Sequence, residues 1–185
     1  MKTFKIKYIV TSEFESADIK EYLKWWSDHT KIEQRMLDRS VAFFRKNLLF
    51  AVFAFHGEKL IGAAGVIPCL DRHGKKMQCI HDALVVELVS NFIDPDYRDR
   101  HIGRELVLQR LKFIKENNYF PVSVTGSIIM QKIFSDIAVT MDTFPKYNHI
   151  RKEVRVCECD NKPCGICPLK DKAIWVFPRF LKKFD

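Results

Sequence analysis

Two stretches of the 185-residue chain combine side-chain types and spacings that could do chemistry. The first is Glu87–Leu106, ELVSNFIDPDYRDRHIGREL. An apolar run that reads as a buried strand stops at Ile93. A polar turn, Asp94-Pro95-Asp96, follows, and a helical pattern opens with Arg98, Arg100, His101, Gly103 and Arg104. Free N–H groups at a helix N-terminus carry about half a positive charge and attract anions. A glycine there lets a ligand approach the main chain closely, and the arginines add charge. Such a junction suits a pyrophosphate; read more plainly, it is a helix that happens to begin with basic residues.

The second stretch is C-x-C-x4-C-x2-C, formed by Cys157, Cys159, Cys164 and Cys167. Four thiolates can close a tetrahedral site around Zn²⁺, and the Pro-Cys-Gly-Ile-Cys-Pro turn presents two sulfurs to one metal. The C-x-C half is tighter than the usual knuckle, so an iron–sulfur cluster or metal-free, redox-active thiols stay open as alternatives. A four-cysteine site has no open position and would be structural. A further set, Cys69, His73, Cys79 and His81, contains ligand types at irregular spacing and reads as ordinary loop residues.

The elements that must position these residues follow from periodicity. Lys2–Val10 alternates Phe4, Ile6, Tyr8 and Val10 with polar residues, a half-buried strand. Ser16 or Asp18 can cap a helix to about Asp28, and a second helix is expected over Ile32–Lys46. Leu48–Phe55 and Lys59–Ile67 form a hairpin turning at His56-Gly57. Cys69–Asp82 is a loop or extended hairpin tip. Ala83–Ile93 is dense enough in Val and Leu to be central in a sheet. An amphipathic helix over Ile102–Glu116, a strand over Pro121–Thr125, a helix over Ser127–Ile137 and strands over Glu153–Val156 and Ala173–Phe177 complete the chain. The alternation implies an α/β fold with a mixed sheet flanked by helices on both faces, within one domain over residues 1–185 that carries the cysteine-rich loop at 157–167.

Bulk properties narrow the function classes. At 47% apolar and 12% aromatic the composition is that of a globular protein, without a disordered tract. The longest apolar runs fall far short of the roughly 20 residues of a membrane span, and the N-terminus lacks a signal-peptide pattern; a cytoplasmic protein is expected. The net charge of +8 admits a nucleic-acid partner, but the basic residues are scattered and an anionic cofactor calls for the same potential. Clustered cysteines in a cytosolic chain speak against a disulfide framework.

The segment Arg98-Asp99-Arg100-His101-Ile102-Gly103 resembles motif A of the GNAT superfamily of N-acetyltransferases, Gln/Arg-x-x-Gly-x-Gly/Ala after the fourth strand. His101 stands where the first glycine is usual. The order of elements over about residues 4–156 is also similar to that superfamily, including two helices after strand one. The resemblance implies a mostly antiparallel central sheet and acetyl-CoA as acyl donor. Asn91, Phe92 and Ile93 would splay from the fifth strand and offer main-chain groups to pantetheine, and Arg98 and the amides of Arg100, His101, Ile102, Gly103 and Arg104 would hold the pyrophosphate. It makes Glu87, sixteen residues before Gly103, the candidate general base; a carboxylate in a partly apolar run has its pKa raised toward neutrality. Ser127 and Phe134 fall where the family places an asparagine and a proton-donating tyrosine, which makes both candidate cofactor-binding residues. A phenyl ring donates no proton, so either Tyr97, Tyr147, a cysteine or water would protonate the leaving thiolate, or the thiolate would leave unassisted. Trp25, Trp26 and His29 lie in the helical region that lines the acceptor groove, or serve simply as core packing.

Three functions are thereby in competition. One is acyl transfer from acetyl-CoA to a primary amine, with the carrier of that amine left open among protein, peptide and small molecule. Another is a catalytically inactive acyl-CoA-binding or adaptor module. The third is a zinc-knuckle nucleic-acid binder.

Overall fold

The computed structural model describes residues 5–33, 36, 38–71, 73–78, 82–125, 127–140 and 173–177. They fall into two compact units, Met1–Ile67 with Leu88–Phe113 and Pro68–Glu87 with Ile114–Asp185.

The first unit begins with strand β1 (Ile6–Thr11), helix α1 (Ala17–Ile32) and helix α2 (Val41–Asn47). Strands β2 (Phe50–His56) and β3 (Lys59–Pro68) follow, then the end of β4 (Val85–Ile93) and most of helix α3 (Ile102–Glu116). Its strand order is β1-β2-β3-β4, with β1–β2 and β2–β3 antiparallel. Ser16 caps α1, its hydroxyl accepting the Ile19 N–H at 3.3 Å. The helix runs past Asp28 because Thr30 prolongs the buried stripe of Ile19, Leu23, Trp26 and Ser27. The second helix is shorter than expected. Ser40 is not inside it but caps it, accepting the Phe43 N–H at 3.1 Å, the place where a serine side chain best satisfies a free helical amide. Just before it, the Arg39 N–H donates to Thr30 Oγ1 at 3.3 Å, which holds that residue outside the helix.

Two glycines of β3 show how the helices cover the sheet. A Cβ on Gly65 would meet Trp26 of α1, and one on Gly62 would meet Leu106 of α3. Residues three apart on a strand point to opposite faces, so α1 lies over one face and α3 over the other. On the edge strand β1, Ile9 packs against the core beneath α1 while Val10 is 49% exposed. The inward position expected for Val10 is thus corrected: the end of this edge strand is left exposed.

The second unit holds the start of β4, β5 (Phe120–Thr125), α4 (Ile128–Ser135), β6 (Val139–Thr140) and β7 (Ala173–Val176), in strand order β4-β5-β7-β6. β4 and β5 are parallel through Val85–Phe120, Val86–Pro121 and Glu87–Val122, whereas β7 pairs antiparallel with both β5 and β6. The mixed, mostly antiparallel α/β architecture is the one expected. β6 is two residues long, too short to leave a periodic signal. Between β3 and β4 the described residues carry two antiparallel bridges, Leu70–Lys76 and Gln78–Leu84. The strand expected over Glu153–Val156 lies outside the described residues, as do all four cysteines of the 157–167 cluster.

Candidate active site

The centre of interest is an irregularity in β4. Ser90 has φ 49°, a left-handed conformation inside a strand, which breaks the regular pleat as a β-bulge does. Its effect shows in the packing: Val89 and Phe92, an odd number of residues apart, both enter the core cluster beneath α1. Main-chain groups turn with it. The Asp94 N–H donates to Ile61 O at 2.8 Å, and Phe92 O lies over Gly62, so these residues face β3. By the alternation of a strand, the main chain of Asn91 and Ile93 faces the opposite way. Of the trio expected to offer main-chain groups outward, Phe92 is therefore corrected: its main chain is committed to β3 and its ring packs on Trp25 and His29.

Past Ile93, Asp94 caps a single 3₁₀ turn (Pro95–Tyr97), its carboxylate accepting the Asp96 N–H at 3.1 Å. Lys59 bonds the same carboxylate at 2.9 Å and helps hold its pKa below the usual value against the opposing effect of burial. Arg98 is braced, with Nε donating to Ile93 O at 3.2 Å and Nη2 to Glu33 Oε2 at 2.9 Å. The chain then takes two left-handed steps, Asp99 (φ 61°) and His101 (φ 61°), before α3 begins. His101 occupies the first-glycine position of the motif and keeps the conformation that glycine would adopt freely. Its carbonyl accepts the Glu105 N–H at 3.1 Å, the first helical bond, which leaves the amides of Ile102, Gly103 and Arg104 as the unpaired first turn of a 15-residue helix. Arg100, His101 and Arg104 are exposed around it, whereas Ile102 and Gly103 are buried and can contribute main chain alone.

In the second unit, Glu87 is half-buried on β4, close enough to Cys69 for its charge to help raise the pKa of that buried thiol. Ser127 caps α4, accepting the Met130 N–H at 3.4 Å, while its own N–H donates to Thr125 Oγ1 at 3.1 Å. Phe134 is fully buried, its ring 5.8 Å from that of Trp175 and 5.3 Å from that of Phe177. It presents no surface to a cofactor, which corrects the expectation that it would line the cofactor site.

The three residues of the first helix divide. Trp26 is core: it is fully buried, stacks on Phe44 at 4.1 Å and donates Nε1–H to Ser90 O at 3.0 Å. Trp25 and His29 are half-buried, their rings 4.1 Å apart, with His29 Nδ1 2.7 Å from Trp25 O.

One buried charge escapes the sequence reading. Arg110 is fully buried on α3, Nε donating to Leu106 O at 3.0 Å and Nη1 to Gly65 O and Val89 O, each at 3.2 Å. Burial pushes its pKa down. Its spacing from Leu106 and Val107, both inward residues, was the signal available. Cys69 is buried and His73 exposed, while Cys79 and His81 lie outside the described residues. Among the described residues no group of three or more metal-ligating side chains is assembled, and no helix is long and apolar enough to cross a membrane.

Residues 11–125 match the acetyltransferase (GNAT) family. The chain belongs to that family. Solved structures agree in fold with the GNAT assignment. A Mycobacterium tuberculosis protein solved with CoA is 11% identical, covering 91% of this chain and 98% of its own, with a TM-score of 0.59. A GNAT acetyltransferase from Staphylococcus aureus is 18% identical, covering 92% and 97%, with a TM-score of 0.55. The N-acetylglutamate synthase of Neisseria gonorrhoeae, complexed with coenzyme A and N-acetyl-glutamate, is 12% identical, covers 92% of this chain and 35% of its own, and has a TM-score of 0.58. No curated protein matches the chain.

Proposed function

We propose that the chain transfers an acetyl group from acetyl-CoA to a primary amine, acting as one acyltransferase-like domain over residues 1–185. The observation that carries this reading is the start of α3, where the left-handed His101 leaves unpaired amides flanked by Arg100 and Arg104. This is a seat of the right sign and geometry for a diphosphate. The structures of the M. tuberculosis and N. gonorrhoeae proteins, which share the fold and hold coenzyme A, support it.

In this reading Arg100–Arg104 bind the pyrophosphate and the main chain of Asn91 and Ile93 receives the pantetheine arm. Arg98, tied to Glu33 and Ile93 O, sets the turn. Glu87 takes a proton from the attacking amine; a C–N bond forms, the C–S bond of the thioester breaks, and CoA leaves as thiolate. Phe134 supplies no proton, so that thiolate takes its proton from another donor or from solvent, or leaves unassisted. Ser127 serves as the cap that orients α4.

The four cysteines at 157–167 are proposed, on their spacing alone, to hold a structural zinc. The donor set fits zinc by its chemistry, four thiolates satisfying a tetrahedral ion. The zinc takes no part in the transfer. A cytoplasmic location belongs to the same reading, since acetyl-CoA and reduced thiols coexist there.

Native mass spectrometry with and without acetyl-CoA tests both parts. Binding of one acetyl-CoA per chain, together with CoA release on adding an amine, supports transfer. Binding without release on any amine would instead mean an inactive module, and salt-sensitive RNA or DNA binding with no acetyl-CoA bound would mean a nucleic-acid binder. A zinc-sized mass increment that a chelator removes supports the metal site, and its absence from freshly reduced protein counts against it.

A further inference from the structure

Two consecutive carbonyls of β4 are held by side chains arriving from opposite faces of the sheet. Val89 O accepts Arg110 Nη1 at 3.2 Å from α3, and Ser90 O accepts Trp26 Nε1 at 3.0 Å from α1. The same Arg110 nitrogen also bonds Gly65 O on β3 at 3.2 Å, so the guanidinium bridges the two strands beside the bulge. We infer that Arg110 and Trp26 are positioning residues that hold the β4 bulge in the shape needed to receive the acyl-CoA arm. This rests on the reading that Asn91 and Ile93, directly beyond the bulge, take up pantetheine.

The physical case is one of cost and geometry. A guanidinium buried without a carboxylate is expensive, and a well-packed apolar side chain of similar volume would often be no less stable. Arg110 is fully buried, Nη2 finds no hydrogen-bond partner, and no ion pair with it appears among the described residues. What the charge holds is main chain: Leu106 O, Gly65 O and Val89 O. A bulge takes main-chain groups out of the regular ladder, and in a sheet covered on both faces water cannot replace them. The φ of 49° at Ser90 is sparsely populated for a residue with a side chain and persists only where the surroundings over-determine it. Trp26 is itself fixed by its stack on Phe44. The two donors together set the direction in which β4 leaves the bulge, and with it the main chain of the next three residues.

The test uses the full-length protein and the variants Arg110→Met, Arg110→Lys and Trp26→Phe. Three quantities are read: acetyl-CoA affinity by calorimetry, the thermal unfolding midpoint, and the indole N–H signal of Trp26 in ¹H–¹⁵N spectra. Arg110→Met is expected to weaken acetyl-CoA binding at least tenfold and to shift the Trp26 indole signal, although the two side chains bond different carbonyls. Arg110→Lys, which keeps a donor, is expected to recover most of the affinity. Wild-type affinity with an unmoved indole signal in Arg110→Met would overturn the inference. So would affinity falling only in step with the unfolding midpoint and no better in Arg110→Lys, the behaviour of a merely structural residue. Should Arg110→Met not fold, Trp26→Phe decides: weakened binding in a folded protein supports the clamp, and unchanged binding overturns it. If the wild-type protein binds no acetyl-CoA, the proposed function fails, while the indole signal still reports whether Arg110 shapes the bulge.

Discussion

The thiol of Cys69 is held protonated, chiefly by its burial and then by the carboxylate of Glu87 on the neighbouring strand. Glu87 is itself half-buried on β4. Glu87→Gln should lower the rate of CoA release at least 100-fold, the ordinary contribution of a general base, while acetyl-CoA binding stays near wild type. Thiol-release kinetics and calorimetry on one preparation check this; equal losses in rate and binding would remove Glu87 from the chemistry.

The same relationship makes Cys69 inert. The thiolate is the reactive form, so iodoacetamide at pH 8 should leave Cys69 unmodified in native protein and label it in denaturant. Peptide mapping reads the result.

Gly65 lies beneath α1 with no room for a side chain. A Cβ there would lie 2.5 Å from Leu48 Cδ2 and 2.8 Å from Trp26 Cη2, and both neighbours are buried. Gly65→Ala is expected to cost about 1–3 kcal/mol, as overpacking of a filled core does. Chemical denaturation measures the change.

His101 carries the cost of a left-handed residue with a side chain. A glycine at that position would relieve it, so His101→Gly should raise stability by a few tenths to about 1 kcal/mol without weakening acetyl-CoA binding. A β-branched replacement, His101→Val, should lower both. Unfolding midpoints and calorimetry distinguish the cases.

Tyr8 gives a pH signature. Burial first, and the charge of Glu105 second, push its pKa up from 10.0 to about 12. The folded state therefore keeps a proton that the unfolded chain releases, and the stability this gives is complete below about pH 10 and lost as pH rises toward 12. Ultraviolet titration should show one phenol ionising near 12 that is missing in Tyr8→Phe, and the alkaline fall in unfolding midpoint should be shallower in that variant.

Much of this was legible in the sequence where pattern and chemistry coincide. The span of α3 follows from its apolar stripe, and the cap Ser16 from residue type. The shortened α2 was harder to read: Ser40, Val41 and Phe44 fit a helical stripe equally well whether Ser40 lies inside the helix or starts it, and the contact of Thr30 with Arg39 that decides the matter is tertiary. Arg110 escaped because an arginine on an amphipathic helix reads as surface. Its acceptors are main-chain carbonyls from three different elements, which no local pattern encodes. Phe134, expected beside a cofactor, is a core residue because Trp175 and Phe177, some forty positions later, close over it.

The bulge at Ser90 also changes how positions are counted along β4. Before it, one face of the strand is read by Val85, Glu87 and Val89; after it, the frame slips and Phe92 takes that face. The interval from Glu87 to Gly103 therefore includes one residue that adds length without advancing the pleat. Counting residues along β4 overstates by one how far the pleat has advanced. Equal spacing and equal placement are, for this strand, two different properties.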